Sequence, residues 1–113
     1  MDLHSSHQNG VNVVTVNESR IDAAVAIKFK DAMRVLTETG PDRVVLDLAQ
    51  VEFIDSSGLG AIVAAMKQLG EGRHLELAAL SPNVEKVFRL TRMNTVFSIH
   101  RAVSDAYLKK SVG

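Results

Sequence analysis

A chain of 113 residues with 46% hydrophobic content is long enough to bury one core and too short for two, so residues 1–113 are read as a single domain. Thirteen basic residues balance thirteen acidic ones, which argues against nucleic acid as a partner, and the absence of cysteine removes disulfides and thiolate metal sites. Met1–His7 lacks a basic-then-apolar leader and no apolar run approaches the roughly 20 residues of a membrane span, so the expectation is a cytoplasmic protein without membrane insertion whose partner is another protein.

Residues 1–10 are polar and read as a first strand or a flexible N-terminus; His4 and His7 have no companion ligands. Asn9-Gly10 is a strong turn signal and, if a strand precedes it, a hairpin turn. Val11–Val16 is β-branched and predicts a strand. After a turn at Glu18–Arg20, Asp22 suits the N-cap of a helix over Ala23–Thr37, with Ala26, Phe29, Met33 and Leu36 inward, and Gly40-Pro41 stops it. Val44–Leu48 is nearly continuously apolar, as in a strand buried on both faces, with Asp47 hydrogen-bonded at the sheet's rim.

A short β-type segment then ends at Asp55, two hydroxyls and Gly58 follow, and a helical pattern begins. The start of a helix leaves backbone N–H groups without intrahelical partners and favours negative charge. At about 100° per residue, Leu59, Ile62, Val63, Met66 and Leu69 form a core-facing stripe. Ser57 lies opposite that stripe beside Gly60, Ala61, Ala64 and Gln68, and Ser56 lies about a quarter-turn away. Spacing alone fits both serines to helix capping, worth about 1 kcal/mol.

Gly70–Gly72 ends the helix, and Leu75–Leu80 predicts another strand with His74 at its edge. Ser81-Pro82 pairs a cap with proline at the first helical position, opening a helix with Val84, Val87, Phe88 and Thr91 inward. Val96–Ile99 predicts a last short strand, and Ala102–Lys110 a last helix with Val103, Ala106 and Tyr107 inward. Strands alternating with helices call for crossover connections, hence an α/β fold with a four- or five-stranded, mostly parallel sheet and four helices.

Enzymatic signatures are missing. Gly58 and Gly60 lack the glycine-lysine-hydroxyl ending of a phosphate-binding loop. Ile54 and Asp55 stand where a nucleophile elbow needs glycine, and no histidine is placed by any motif. No catalytic residue, metal ligand or cofactor is expected. Asp47 lacks the acidic pair that would hold Mg²⁺ beside a phosphoaspartate.

Phe53-Ile54-Asp55-Ser56-Ser57-Gly58-Leu59-Gly60, preceded by Val44-Val45-Leu46-Asp47-Leu48, resembles the signature of STAS domains, specifically the bacterial anti-anti-sigma factors (anti-sigma factor antagonists). The resemblance implies a STAS fold and makes the second serine of Asp-Ser-Ser-Gly, Ser57, the phosphoacceptor, leaving Ser56 as the cap. It implies a partner-binding face of Asp22, Asp55, Ser56, Ser57, Gly58, Leu59, Gly60, Ala61, Ala64 and Gln68. The implied partners are an anti-sigma factor that is also a serine kinase with bound ATP, and a serine phosphatase. In such a partner-switching pathway the unmodified protein releases a sigma factor, and phosphorylation of Ser57 switches it off. The alternative within the family is a structural subunit of a stressosome or of a transporter complex. A ligand-sensing member would need a pocket, for which the sequence offers no pattern. One departure is that many members carry glycine where this chain has Met93-Asn94; asparagine tolerates the left-handed conformation such a turn uses.

Overall fold

The computed structural model describes residues 1–109. Strands β1 (Leu3–Gln8) and β2 (Val11–Val16) form an antiparallel hairpin. Its two turn residues, Asn9 and Gly10, have φ of 52° and 77°, the paired left-handed dihedrals that match a turn to the strand twist. Then follow β3 (Arg20–Ile21), α1 (Ala26–Leu36), β4 (Arg43–Asp47), β5 (Phe53–Ile54) and α2 (Ser56–Leu69). The chain continues through β6 (His74–Ala78), α3 (Pro82–Leu90), a 3-10 turn at Met93–Thr95, β7 (Ile99–His100) and α4 (Val103–Lys109).

The main sheet runs β1-β2-β4-β6-β7, with β1 antiparallel and every other pairing parallel. This is the expected α/β architecture. Period-two alternation divides the strands between two faces. Val14, Val16, Val44, Leu46, Leu75 and Leu77 join the large core with Phe29 and Met33 of α1, Ile62 of α2, and Val84 and Phe88 of α3. Val11, Val13, Val45 and Ala78 face the other way, onto Ala106, Val103 and Tyr107 of α4.

Two polar devices are buried in this frame. Asn12, on the strand face covered by α1, donates from Nδ2 to the Leu36 carbonyl (3.1 Å) and accepts from the Ser5 hydroxyl (2.6 Å), closing the carboxyl end of α1. On the α4 face, Glu76 accepts from Arg43 Nε (2.7 Å) and Nη2 (2.8 Å) and pairs with His100 Nε2 (2.7 Å). Arg43 Nη2 also donates to the Ala106 carbonyl (2.8 Å), so the Glu76–Arg43 pair together ties β4, β6, β7 and α4. The hydrogen bonds to Glu76 hold the Arg43 guanidinium charged more firmly than usual.

Several local expectations are corrected. The first helix starts at Ala26, because Ala23–Val25 form a turn that Asp22 organises: its Oδ1 accepts from Ala24 N–H (3.1 Å) and its carbonyl from Val25 N–H (3.1 Å). Ser81 is the N-cap residue of α3 with Pro82 behind it, as expected, but its hydroxyl makes no cap bond and donates instead to the Val51 carbonyl (2.8 Å) across the sheet's rim. Residues expected to open the last strand instead turn, and β7 is Ile99–His100. The cause is Phe97, which is buried edge-on against Phe88 with ring centroids 6.0 Å apart and so pulls the chain out of the extended form. The left-handed residue of that turn is Arg92 (φ 62°), ahead of Met93-Asn94. The last helix is seen to Lys109, and Lys110 lies outside the described residues.

Replacing Glu76 by alanine leaves a mostly buried guanidinium without its counter-charge. The variant is expected to lose about 3 kcal/mol, seen in urea denaturation as a lower midpoint with an unchanged slope.

Candidate functional site

The site is assembled at the carboxyl ends of the central strands, where the chain leaves β4, makes a short ribbon and starts α2. Strand β5 pairs in parallel with β3, Arg20 opposite Phe53 and Ile21 opposite Ile54. The Ser19 carbonyl accepts from Glu52 N–H (2.8 Å) and Phe53 N–H (3.2 Å). The short β-type segment expected to end at Asp55 is β5, whereas its partner β3 falls where the sequence predicts a turn, since a two-residue strand carries no period to detect.

Asp55 follows directly and is the N-cap of α2, with extended dihedrals and Oδ1 accepting from Gly58 N–H at 2.8 Å. Its Oδ2 accepts from Ala23 N–H at 3.1 Å, so the same carboxylate also holds the β3–α1 turn. The Gly58 N–H, with help from those of Ala23 and Ser57, holds the Asp55 carboxyl below the ordinary carboxylate range. The cap is thus Asp55, and Ser56 is the first helical residue; this corrects the assignment of the cap to Ser56.

Gly58 is buried because α2 begins against β3. A Cβ built there would lie 1.9 Å from the Ile21 carbonyl oxygen, so no larger residue fits without moving the backbone. Gly60, two positions on, has open space where a Cβ would go. The fully buried face of α2 is Gly58, Ala61, Ile62, Ala65 and Leu69, and Leu59, Val63 and Met66 are only half-buried. The helix is therefore rotated from the expected stripe toward its small residues, because it packs on α1 and on the β3–β5 ribbon as well as on the main sheet.

That rotation revises the anticipated contact face. Gly58 and Ala61 (3% exposed) are interior and belong to the core. Ser56, Ser57, Gly60 and Gln68 are exposed, while Asp22, Asp55, Leu59 and Ala64 are half-buried. Phe53, at 42% exposure, joins this surface, with the Arg20 guanidinium 4.4 Å from its ring centroid. Arg20 in turn pairs with Asp22 (Nε to Oδ2, 3.1 Å). Phe53 was overlooked although a signal existed: it immediately precedes Ile54, and alternation lets only one of the two point inward. Asp47 sits at the rim as expected, its Oδ1 accepting from Ala49 N–H (3.0 Å). Among the described residues no group of three acidic, histidine or cysteine side chains could hold a metal ion, and no helix is long and apolar enough to cross a membrane.

A five-stranded, mostly parallel sheet with this hydroxyl-bearing turn ahead of its second helix defines a class. Residues 3–106 match the model of the STAS domain, and the chain belongs to that family. It is 34% identical over 80 residues to the anti-sigma-B factor antagonist of Listeria monocytogenes, covering 70% of each chain. An anti-sigma factor antagonist from Mycobacterium paratuberculosis superposes with a TM-score of 0.85 at 27% identity, over 96% of this chain and 92% of that one. The anti-sigma factor antagonist SpoIIAA shares the fold in its unphosphorylated form (TM-score 0.77, 16% identity, 99% and 98% covered). So does its phosphorylated form, described as a Bacillus cell fate determinant (TM-score 0.68, 15% identity, 96% and 98% covered).

Two outcomes are expected from the geometry at the head of α2. Gly58→Ala should cost about 3 kcal/mol or abolish folding, whereas Gly60→Ala should raise stability by up to about 1 kcal/mol; equal effects in thermal melts would contradict the close approach to Ile21. The second concerns pH. Because the folded pKa of Asp55 is depressed, its contribution is fully present above the unfolded value of about 3.9 and is lost as pH falls through the lower folded value. The urea-midpoint difference between the native protein and Asp55→Asn should therefore shrink as pH drops below about 4.

Proposed function

We propose that the protein is an anti-sigma factor antagonist whose docking is switched by phosphorylation of Ser57. The observation that carries the reading is Ser57 itself: an exposed hydroxyl at the second position of α2, on a turn that Asp55 clamps from two sides. The resemblance of Asp55-Ser56-Ser57-Gly58 to the family motif and the names of the relatives support it.

In the unmodified state the neutral hydroxyl, with Ser56, Gly60 and the edge of Ala64 beside it and Gln68 further along the same helix, forms a surface without charge. It docks in the cytoplasm on an anti-sigma factor that is also a serine kinase with bound ATP, and the sigma factor is displaced. Phe53 under Arg20 supplies an apolar, cation-capped flank to the same surface.

Transfer of the γ-phosphoryl group to Ser57 adds about −1.5 to −2 charges and three acceptor oxygens. The head of α2 stabilises that charge in the free protein by up to about 1 kcal/mol. Asp55 opposes it, because its lowered pKa keeps a second anion beside the phosphate at neutral pH. Burying the modified turn against a surface shaped for a hydroxyl costs several kcal/mol, and each 1.4 kcal/mol is about tenfold in affinity. The fold need not move, since the contact changes sign where it stands. A serine phosphatase removes the group and restores docking.

Incubation with the cognate kinase and ATP should place phosphate on Ser57, mapped by mass spectrometry. Ser57→Ala should still bind the anti-sigma factor, and Ser57→Asp should bind about 100-fold more weakly or worse. Phosphate on Ser56, or equal binding by the two variants, would defeat the assignment. Capture of a scaffold or a transporter ATPase in place of the kinase would convert the reading to a structural one.

A further inference from the structure

One edge of the main sheet is β1, and its outer backbone is unpaired. The Asn17 N–H donates to the Asp2 carbonyl, and the register from Leu3 opposite Val16 to Gln8 opposite Val11 carries no bulge. Hydrogen-bonded pairs alternate along an antiparallel ladder. His4, Ser6 and Gln8 therefore bond to β2, while Leu3, Ser5 and His7 turn their N–H and C=O groups outward. Among the described residues no other backbone group reaches these three. Edge strands are commonly shielded by lysine, proline, a bulge or sheer shortness. β1 has none of these, being Leu-His-Ser-Ser-His-Gln in unbroken register.

Beside this edge α1 leaves an aliphatic strip uncovered. Ile27 (69% exposed) and Val35 (60% exposed) lie about two turns apart on one side of the helix. Val35 borders a hollow of about 350 Å³ that Met1, Leu3, Ala32 and Leu36 also line. Asp31, between the two, opposes burial of the strip, and Arg34 at 3.9 Å supplies its counter-charge.

We propose that the protein forms a two-fold dimer through β1, which joins two five-stranded sheets into one. The outward set fits a second copy of itself. A two-fold axis at Ser5, perpendicular to the sheet, sets Ser5 against Ser5 and Leu3 against His7 of the second copy. Each of these pairs exchanges two backbone hydrogen bonds, and no outward group of the three residues is left over. The perpendicular axis keeps both α1 helices on one side of the joined sheet, so their aliphatic strips face each other and the hollow beside Leu3 is covered. An unrelated extended peptide would satisfy the backbone and leave the strip in water. At the opposite edge β7 has only two residues, so the pairing closes at two copies. α1 stands between this interface and α2, so Ser57 stays exposed and the proposal does not depend on the partner reading.

The test follows the full chain by sedimentation velocity from about 1 µM to about 1 mM, with a monomer–dimer equilibrium of Kd about 100 µM or tighter expected. Amide hydrogen exchange of the unmutated protein gives an independent reading. Protection of the Leu3, Ser5 and His7 amides should rise with protein concentration, and that of His4, Ser6 and Gln8 should not. Val35→Glu should weaken dimerisation at least about tenfold by setting like charges across the axis. His7→Pro, which removes an outward donor and no bond to β2, should do the same. Leu90→Glu, at a similarly exposed position on α3, should leave the dimer unchanged. All three positions are exposed, and circular dichroism checks that each variant keeps the fold. A monomer throughout the range, association beyond two copies, or dimers indifferent to Val35→Glu or His7→Pro would each overturn the proposal. So would equal loss in Leu90→Glu, or outward amides whose protection ignores concentration.

Discussion

The carboxylate of Asp55 holds two pieces of backbone at once, the Gly58 N–H that opens α2 and the Ala23 N–H in the turn that opens α1. Everything about the candidate site depends on that pair of hydrogen bonds. It brings the heads of two helices to one point at the carboxyl end of the sheet. It also lets α2 start so close to β3 that the Ile21 carbonyl occupies the space of a side chain at Gly58. A cap made by a serine hydroxyl would satisfy one N–H of α2 and leave the other turn untied. With a carboxylate in that role, both serines that follow are released from structural duty, and Ser57 is free to meet another molecule.

The fold separates this turn from the groups that stabilise the sheet. Glu76, Arg43 and His100 lie on the opposite face of the sheet, under α4, and Asn12 closes the far end of α1. The exposed head of α2 can therefore accept a large change of charge while the buried ion pairs remain as they are. The same helix carries one wall of a groove of mixed charge at its other end, about 20 Å away along its axis. One helix thus presents two chemically different surfaces, one neutral at its head, the other part apolar and part charged at its foot.

The sequence carried the order of elements well, and the reasons are local. Asn9-Gly10 specifies a hairpin by backbone dihedrals alone, Val44–Leu46 specifies a buried strand by composition, and Phe29 and Met33 specify the inner face of α1 by spacing. The errors cluster where a neighbour distant in sequence decides. Ser81 holds the cap position of α3, but the Val51 carbonyl thirty residues away claims the hydroxyl that would have made the cap bond. Val96-Phe97 looks like a strand, but Phe88 draws the ring out of line.

The position of Ser57 at the outward start of an amphipathic helix was determined by the sequence itself, because a helix phases its own residues once its first turn is marked. Which flank of that helix became interior was decided only in three dimensions. Periodicity records one buried direction, whereas α2 is covered by the sheet, by α1 and by the β3–β5 ribbon together, and the sum turns Gly58 and Ala61 inward while leaving Leu59 and Met66 half-open. The groove between the foot of α2 and β6 has the same origin: it is a gap between elements, and no single stretch of chain encodes a gap.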